Sequence, residues 1–472
     1  MDRSLFWFRD DLRLEDQPGL ATALQASETL LVYIVDANSG LGKASKDWLA
    51  HSLASLDQRL DHKLNLYDGP CVETLLRIIK DHKVSKIYWN QGITPSACAQ
   101  DAELTSTLSA MGITYRIFRP NVLWAPSLHL TQAQGPYKVF TPFYKSCRTR
   151  MHYPETPTNF HPSPACIRLK DKTRIVLDTV PLNGPQLPGE LAALECMHHF
   201  FASGLKDYKT QRDYPSKKSV SRLAPYLRFG ELSVRTLWHR VAQYTQRYPE
   251  SVETFCSELG WREFAYYLLH HFPYIPTQNH RTYFDHFPWE ENPTFLHAWQ
   301  TGQTGYPLVD AGMRELSQTG SMHNRIRMVV GSFLIKNLNI HWHHGRDWFW
   351  EHLYDADLAS NSMNWQWVAG TGFDAQPYIR IFNPTLQAEK FDADGTYIRH
   401  FIPELRAMPI SYLFEPWKAP QGILQNAHVQ LGTTYPWPII DLAQSRARAL
   451  QAYATCQPPT GLNSTTPVIS RE

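Results

Sequence analysis

Cysteine is scarce in this 472-residue chain: there are seven, an odd number, with no CxxC pair. That excludes a disulfide framework and thiol-based zinc or redox motifs, and it fits the reduced thiols of the cytoplasm. Charge of one sign is missing too, because 46 Lys and Arg stand against 44 Asp and Glu. Bulk attraction to a polyanion is therefore excluded, and any nucleic-acid contact needs a local basic patch. No apolar run approaches the ~20 residues that span a bilayer, and the opening MDRSLFWFRDD is not a signal peptide. A soluble, cytoplasmic, monomeric protein is expected. No GxGxxG follows the first apolar run, and Gly40-Leu41-Gly42-Lys43 has the wrong spacing for a phosphate loop, with Ala44 in place of a hydroxyl. His341, His343 and His344 lack HExxH spacing and a partnering Cys or carboxylate motif, so they read as interhelical histidines and no metal site is expected.

Aromatic residues, by contrast, are abundant: 13% of the chain, with 15 Trp, of which eleven lie from Trp238 onward. A chain this long divides into two domains plus connections. Residues 1–125 alternate short apolar runs (Leu5–Phe8, Thr29–Val35, Leu64–Tyr67, Lys86–Trp89, Thr114–Phe118) with amphipathic helical patterns. Leu49, Leu53, Leu56 and Leu60 mark one such helix; Val72, Leu75, Leu76 and Ile79 mark another. Strands alternating with helices predict an α/β domain built on a doubly wound parallel sheet. Residues 126–188 are broken by prolines and read as a connector packed over the surface. Its Lys138, Lys145, Arg148 and Arg150 fit a solvated basic face better than a polyanion site. From Gly189 to about residue 455 the pattern is all-α, starting with Leu191, Leu194, Phe200 and Phe201, with Gly204 as a helix C-cap. The Pro-, Ser- and Thr-rich stretch 456–472 is expected to be a disordered tail.

The most unusual stretch is Ser321–Arg380. Asn324, Arg325, Arg327, Asp355, Asp357 and Asn361 are threaded through an aromatic, apolar background. Charged groups in such a setting must be paired or hydrogen-bonded. Val329, Val330, Phe333, Leu334 and Leu338 have helical spacing, with Asn324, Arg327 and Met328 a turn earlier. A site for a large, flat, polar ligand is expected here. Asp355 and Asp357 also allow a DxD reading, two carboxylates suited to Mg²⁺ and phosphate, which the surrounding motifs disfavour.

Those motifs are SELGWREF (Ser257–Phe264), TGYPLVDAGMREL (Thr304–Leu316), MHNRIRM (Met322–Met328), DADLASN (Asp355–Asn361) and WQW (Trp365–Trp367). Together, in this order and spacing, they resemble the cryptochrome/photolyase family, and within it the class I cyclobutane pyrimidine dimer photolyases. The resemblance runs from FWFRDDLRLED to YPWPIIDLAQSRARALQAY and implies an all-α domain that binds FAD. Tyr208 and Val220-Ser221-Arg222-Leu223-Ala224 match the family's phosphate-binding stretch, although Val220 and Ala224 stand where the family usually has hydroxyls. Ser321 replaces a usual Trp beside the flavin. The resemblance pairs Asp355 with Arg327 beside the flavin, with Asn324 and Ala356 at the cofactor and Asp357 near its ring. It places Asn361 opposite flavin N5, where an uncharged amide tolerates a reduced, anionic ring.

Glu258, Trp261, Asn324, Met328 and Trp367 match the pocket for a flipped-out dimer, with Glu258 expected on an apolar wall as a hydrogen-bond donor to the lesion. Six-four photolyases carry His where this chain has Asn324 and Met328, which argues against their chemistry. Arg212, Arg262, Arg325 and Arg380 match contacts to phosphates of damaged DNA. Trp289, Trp342 and Trp365 match a relay that carries an electron hole from flavin to surface. The implied activity is light-driven repair, with a cryptochrome-type photoreceptor or a non-catalytic flavin- or DNA-binding protein as the alternatives. A methenyltetrahydrofolate antenna, held in many relatives by four polar residues, would here meet Ser96, Ala97, Ile275 and Pro276. Such a site leaves a pterin edge unpaired, which predicts weak or no folate binding, hence FAD alone or a different antenna.

Overall fold

The computed structural model describes residues 2–37, 40–150, 165–169 and 179–456. Five strands form one parallel sheet: β1 (Arg3–Phe8), β2 (Glu28–Val35), β3 (Leu64–Asp68), β4 (Lys86–Asn90) and β5 (Thr114–Phe118). Every strand read from the sequence lies inside its observed counterpart. The central run Leu5–Phe8 is apolar without alternation, because helices cover both faces of the parallel sheet there, and all four residues are buried; the edge strand β5 carries Thr114 and Arg116 and has no buried residue. Helices Lys43–Arg59 and Cys71–Asp81 turn Leu49, Leu53, Leu56 and Val72, Leu75, Ile79 inward. The strand order is β3-β2-β1-β4-β5. The chain therefore reverses direction across the sheet between β1 and β4, which opens a crevice beyond their carboxyl ends.

The connector is more ordered than its prolines suggest. Helix Phe140–Arg150 tolerates Pro142 in its first turn, where the missing N–H has no intrahelical partner. Phe140, Phe143 and Cys147, spaced three and four apart, are buried against helix Pro249–His271. Arg148 is spent on Glu253 at 3.2 Å and lies over the Tyr144 and Trp238 rings. Residues 165–167 hydrogen-bond to Thr29 at the start of β2. The side chain of Arg150, residues 151–164 and 170–178, and the tail beyond 456 lie outside the described residues.

The second half is helical. Gly204 is not a left-handed helix C-cap: its φ is −97°, and the chain winds on from helix Glu190–His199 through a wide turn, Phe200–Gly204, into the short helix Leu205–Asp207. Glycine is needed there because a Cβ would lie 2.8 Å from the Phe200 ring. Buried carboxylates join the two halves. Glu231 accepts from Trp48 Nε1 at 3.1 Å and from the Gly189 amide, and burial pushes its pKa up to about 7. Glu190 accepts from the Leu14 and Glu15 amides at 2.8 and 2.9 Å. Gly40-Leu41-Gly42-Lys43 serves the same junction: the Gly40 carbonyl accepts from Trp350 Nε1, and a Cβ on Gly42 would strike the Trp350 carbonyl.

Candidate functional site

Three helices of the second half enclose a cavity of about 280 Å³. Helix Pro249–His271 presents Phe255, Glu258, Leu259, Arg262 and Tyr266, a three-to-four-residue spacing that keeps them on one face. Helix Asn324–Ser332 presents Asn324, Arg327, Met328 and Gly331 by the same rule. Helix Leu358–Ala369 adds Ser360, Asn361, Asn364, Trp365, Trp367 and Val368, preceded by Asp355, Ala356 and Asp357. Tyr208, Ser221, Leu223 and Ala224 close one end. Val220 and Arg222 of the expected phosphate stretch do not line it; Arg222 is exposed with φ +53°, the left-handed step that turns the chain toward Ala224. Sequence reasoning passed over Arg228, Tyr266, Ser360 and Asn364. Helical spacing from Glu258 through Arg262 would have reached Tyr266.

The polar groups are arranged unevenly. Arg327 Nη2 meets both Asp355 oxygens at 2.9 and 3.1 Å, and its Nε donates to the Met322 carbonyl. Asp357 makes no such ion pair among the described residues. It caps its helix by accepting from the Ser360 amide at 2.8 Å, and it accepts from the Tyr266 hydroxyl at 2.7 Å. Asn361 Nδ2 donates to the Arg346 carbonyl at 3.0 Å, which fixes the amide's orientation. Apolar Phe255, Leu259, Trp365 and Val368 supply flat walls. A flavin dinucleotide needs apolar walls, hydrogen-bonding groups for its pyrimidine edge, and cations or free amides for its pyrophosphate. The donor set fits FAD, with Arg327, Asp355, Asp357 and Asn361 as the polar holders and Ser221 at the far end.

The mouth differs from expectation in two respects. Glu258 does not face an apolar wall: it pairs with Arg212 at 2.5 Å, so it meets a ligand as an acceptor. Arg262 is turned inward, donating to Glu263 at 2.7 Å and to the Asn121 carbonyl at 2.9 Å, so it does not reach an open surface. Asn324 and Met328 sit at the rim beside Trp367. Trp261 is half-buried outside the cavity, with one face stacked on Phe140 at 3.8 Å. Arg325 pairs with Asp213 at 2.9 Å, whereas Arg380 is exposed. To meet phosphate as expected, Arg212 and Arg325 would have to exchange these carboxylates, whereas Arg380 has no such competition among the described ion pairs. Arg380→Ala is therefore expected to flatten the log–log salt dependence of DNA affinity by about 0.9, one phosphate's worth. Fluorescence anisotropy across a salt series checks this, and an unchanged slope removes Arg380 from the interface.

Of the three tryptophans expected to form a relay, Trp365 and Trp342 are buried and Trp289 is half-buried. Trp365 packs over Gly345, where no Cβ would fit, one turn along the helix from Trp342. Between Trp342 and Trp289 stands the His341 ring, 5.7 Å from the former and 5.1 Å from the latter. Burial lowers the His341 pKa to about 4, so the imidazole is neutral and adds no charge to the path. Trp289→Phe is expected to slow photoreduction of oxidised flavin at least about tenfold while leaving dimer binding intact. Bleaching of the flavin band under blue light reads this directly. Full-rate photoreduction in the variant would mean another exit.

A second cavity, about 740 Å³, lies at the crevice between β1 and β4 and reaches the helical half. Phe8–Asp11 follow β1, Val35–Ala37 follow β2, and Asn90–Thr94 follow β4. Asn90 Oδ1 and Arg9 Nη1 are buried there without a hydrogen-bond partner. Ser96 and Ala97 line this cavity, but Ile275 and Pro276 do not, so the two loops do not form one folate pocket around it. Leu227, Arg228, Arg262, Tyr266 and Asp357 line both cavities and form the wall between them.

Comparison with known proteins agrees with this arrangement. Residues 4–165 match the family model described as DNA photolyase, and residues 255–455 match that of the FAD binding domain of DNA photolyase. A deoxyribodipyrimidine photo-lyase of Agrobacterium fabrum is 41% identical, covering 97% of this chain and 98% of its own. Cryptochrome-1 of Arabidopsis thaliana is 34% identical over 95% of this chain and 70% of its own. The crystal structure of a bacterial class III photolyase from Agrobacterium tumefaciens superposes with a TM-score of 0.90 at 39% identity, covering 97% and 98% of the two chains. With its parallel-sheet domain and its helical FAD-binding domain, the chain belongs to the cryptochrome/photolyase family.

Proposed function

We propose that this protein is a deoxyribodipyrimidine photo-lyase, which uses light to split cyclobutane pyrimidine dimers in DNA. One observation carries the reading: a single cavity lined by flavin-compatible apolar and polar groups is also lined by Glu258, Asn324, Met328 and Trp367, the residues expected to meet the dimer. Reduced FAD, when bound and excited by blue light, supplies one electron to the dimer and regains it after the ring opens. The chain's own residues position and exclude. Trp367 and Met328 offer flat apolar surface to a dinucleotide that has left the stack, and flipping is cheapest where stacking is already damaged. Asn324 offers both donor and acceptor to base edges. Glu258, held by Arg212, accepts from ring N–H groups. Arg212, Arg325 and Arg380 hold the backbone without reading sequence, as a lesion in any context requires. No proton need be lost or gained overall; short range and a dry pocket are what the protein supplies.

Similarity to the Agrobacterium enzyme along nearly the whole chain favours class III over the class I assignment. The reading assigns residues 1–125 to an antenna-type unit, 126–188 to the connector, and 189–455 to catalysis. The crevice cavity would hold an antenna that is flat and polar at one edge, since Asn90 Oδ1 and Arg9 Nη1 await partners. The deciding experiment gives purified, reduced protein an ultraviolet-damaged oligonucleotide with and without blue light. Light-dependent restoration of the thymines is expected. A flavin-loaded protein that restores none would instead be a photoreceptor, the reading that similarity to cryptochrome-1 supports.

A further inference from the structure

We infer that Tyr266 is a positioning residue for the flavin site, because its hydroxyl holds Asp357, a cavity-wall carboxylate that makes no ion pair among the described residues. The inference rests on the proposed function in taking the cavity's ligand to be FAD. Asp355 and Asp357 stand two residues apart on the same wall but are handled oppositely. Asp355 is neutralised by Arg327. Asp357 is more deeply buried, at 8% exposure, yet among the described residues its carboxylate accepts from the Ser360 amide and the Tyr266 hydroxyl alone. A buried carboxylate without a counter-ion persists only when donors satisfy it. The Ser360 amide is the donor that any N-capping Asp would have at this helix start. Tyr266 is the added element.

Two guanidiniums lie close enough to take Asp357 over. Arg228 is committed to Asp10 at 2.8 Å and to the Ala356 carbonyl at 2.9 Å. Arg262 is committed to Glu263 and Asn121, and its guanidinium lies 4.8 Å from the centre of the Tyr266 ring. The Tyr266 ring thus lies against the Arg262 guanidinium while its hydroxyl holds Asp357. With the hydroxyl present, the carboxylate keeps its orientation at the cavity wall. Without it, Oδ2 loses a partner while the ring's packing survives, and the carboxylate is free to turn toward Arg228 or Arg262.

The test compares Tyr266→Phe with the wild type as flavin-loaded proteins, reading the FAD dissociation rate and the fine structure of the oxidised flavin band. Loss of a hydrogen bond to a charged group predicts release about tenfold faster, with an altered band. The same substitution in an Asp357→Asn background should add less than about twofold, because coupled residues are not additive. A purely structural role would give the same factor in both backgrounds and would overturn the inference. So would unchanged release and spectrum in Tyr266→Phe. If the wild type itself carries no FAD, the proposed function fails as well, an outcome distinct from a flavin-loaded wild type and an indifferent variant.

Discussion

Asp355→Asn is expected to strip most of the flavin from the purified protein. Arg327 spends one nitrogen on both Asp355 oxygens and another on the Met322 carbonyl, so the side chain is fully oriented before any ligand arrives. Neutralising Asp355 leaves that guanidinium facing the cavity without its counter-ion. Removing one partner of a buried pair costs about 3–5 kcal/mol. Here the side chains are 26% and 11% exposed, and solvent screening brings the figure to about 2–3 kcal/mol. Carried through to cofactor retention, that is a loss of roughly 30- to 150-fold. Flavin absorbance per mole of protein after gel filtration reads it, and near-ultraviolet circular dichroism shows whether the fold survives. A folded Asp355→Asn protein with wild-type flavin content would remove the pair from the cofactor site.

The parts of this molecule that a sequence can disclose are those set by local periodicity. Five short runs of strand-forming residues became five parallel strands, and the central one, Leu5–Phe8, is apolar without a break because the sheet is covered on both faces there. Asn324, Arg327 and Met328 share a helix face by spacing alone. What stayed hidden depends on partners far along the chain. Arg262 looks like a free cation until folding brings Asn121 beside it and turns Glu263 toward it. Glu258 looks like a lone acid until Arg212, 46 residues earlier, reaches it. The crevice cavity has no motif because it is built from the ends of separate strands. Only the rule that ligands bind where strand order reverses would have located it. His341, read only as an interhelical histidine, proves to stand between two relay tryptophans.

Lys336→Met is expected to stabilise the protein, and more so in acid than in alkali. Lys336 is fully buried; its amine donates to the Arg380 carbonyl at 2.9 Å and lies 5.3 Å from the Tyr378 ring centre. Burial, with Arg380 adding to it, lowers its pKa to about 7. An unfolded chain holds a lysine proton up to about pH 10.4. Below pH 7 both states are protonated, and the folded state carries the whole desolvation penalty. Between about pH 7 and 10.4 the unfolded chain binds the extra proton, so stability rises with pH through that window. Glu231, whose pKa is raised to about 7, works in a lower range: it lowers stability as pH rises toward 7 and is flat above. Cys71 and Cys256, pushed up to about 12, oppose the rise only above the ordinary thiol range of about 8.5. From pH 7 to 8.5 the lysine is therefore the group to watch. Methionine removes the penalty and forfeits one hydrogen bond worth about 1 kcal/mol. The net gain is about 3–4 kcal/mol at pH 6, and about 2 kcal/mol less at pH 8.5. Urea midpoints at pH 6, 7 and 8.5 for both proteins give the two profiles. Parallel profiles would show that Lys336 keeps its proton in the folded state.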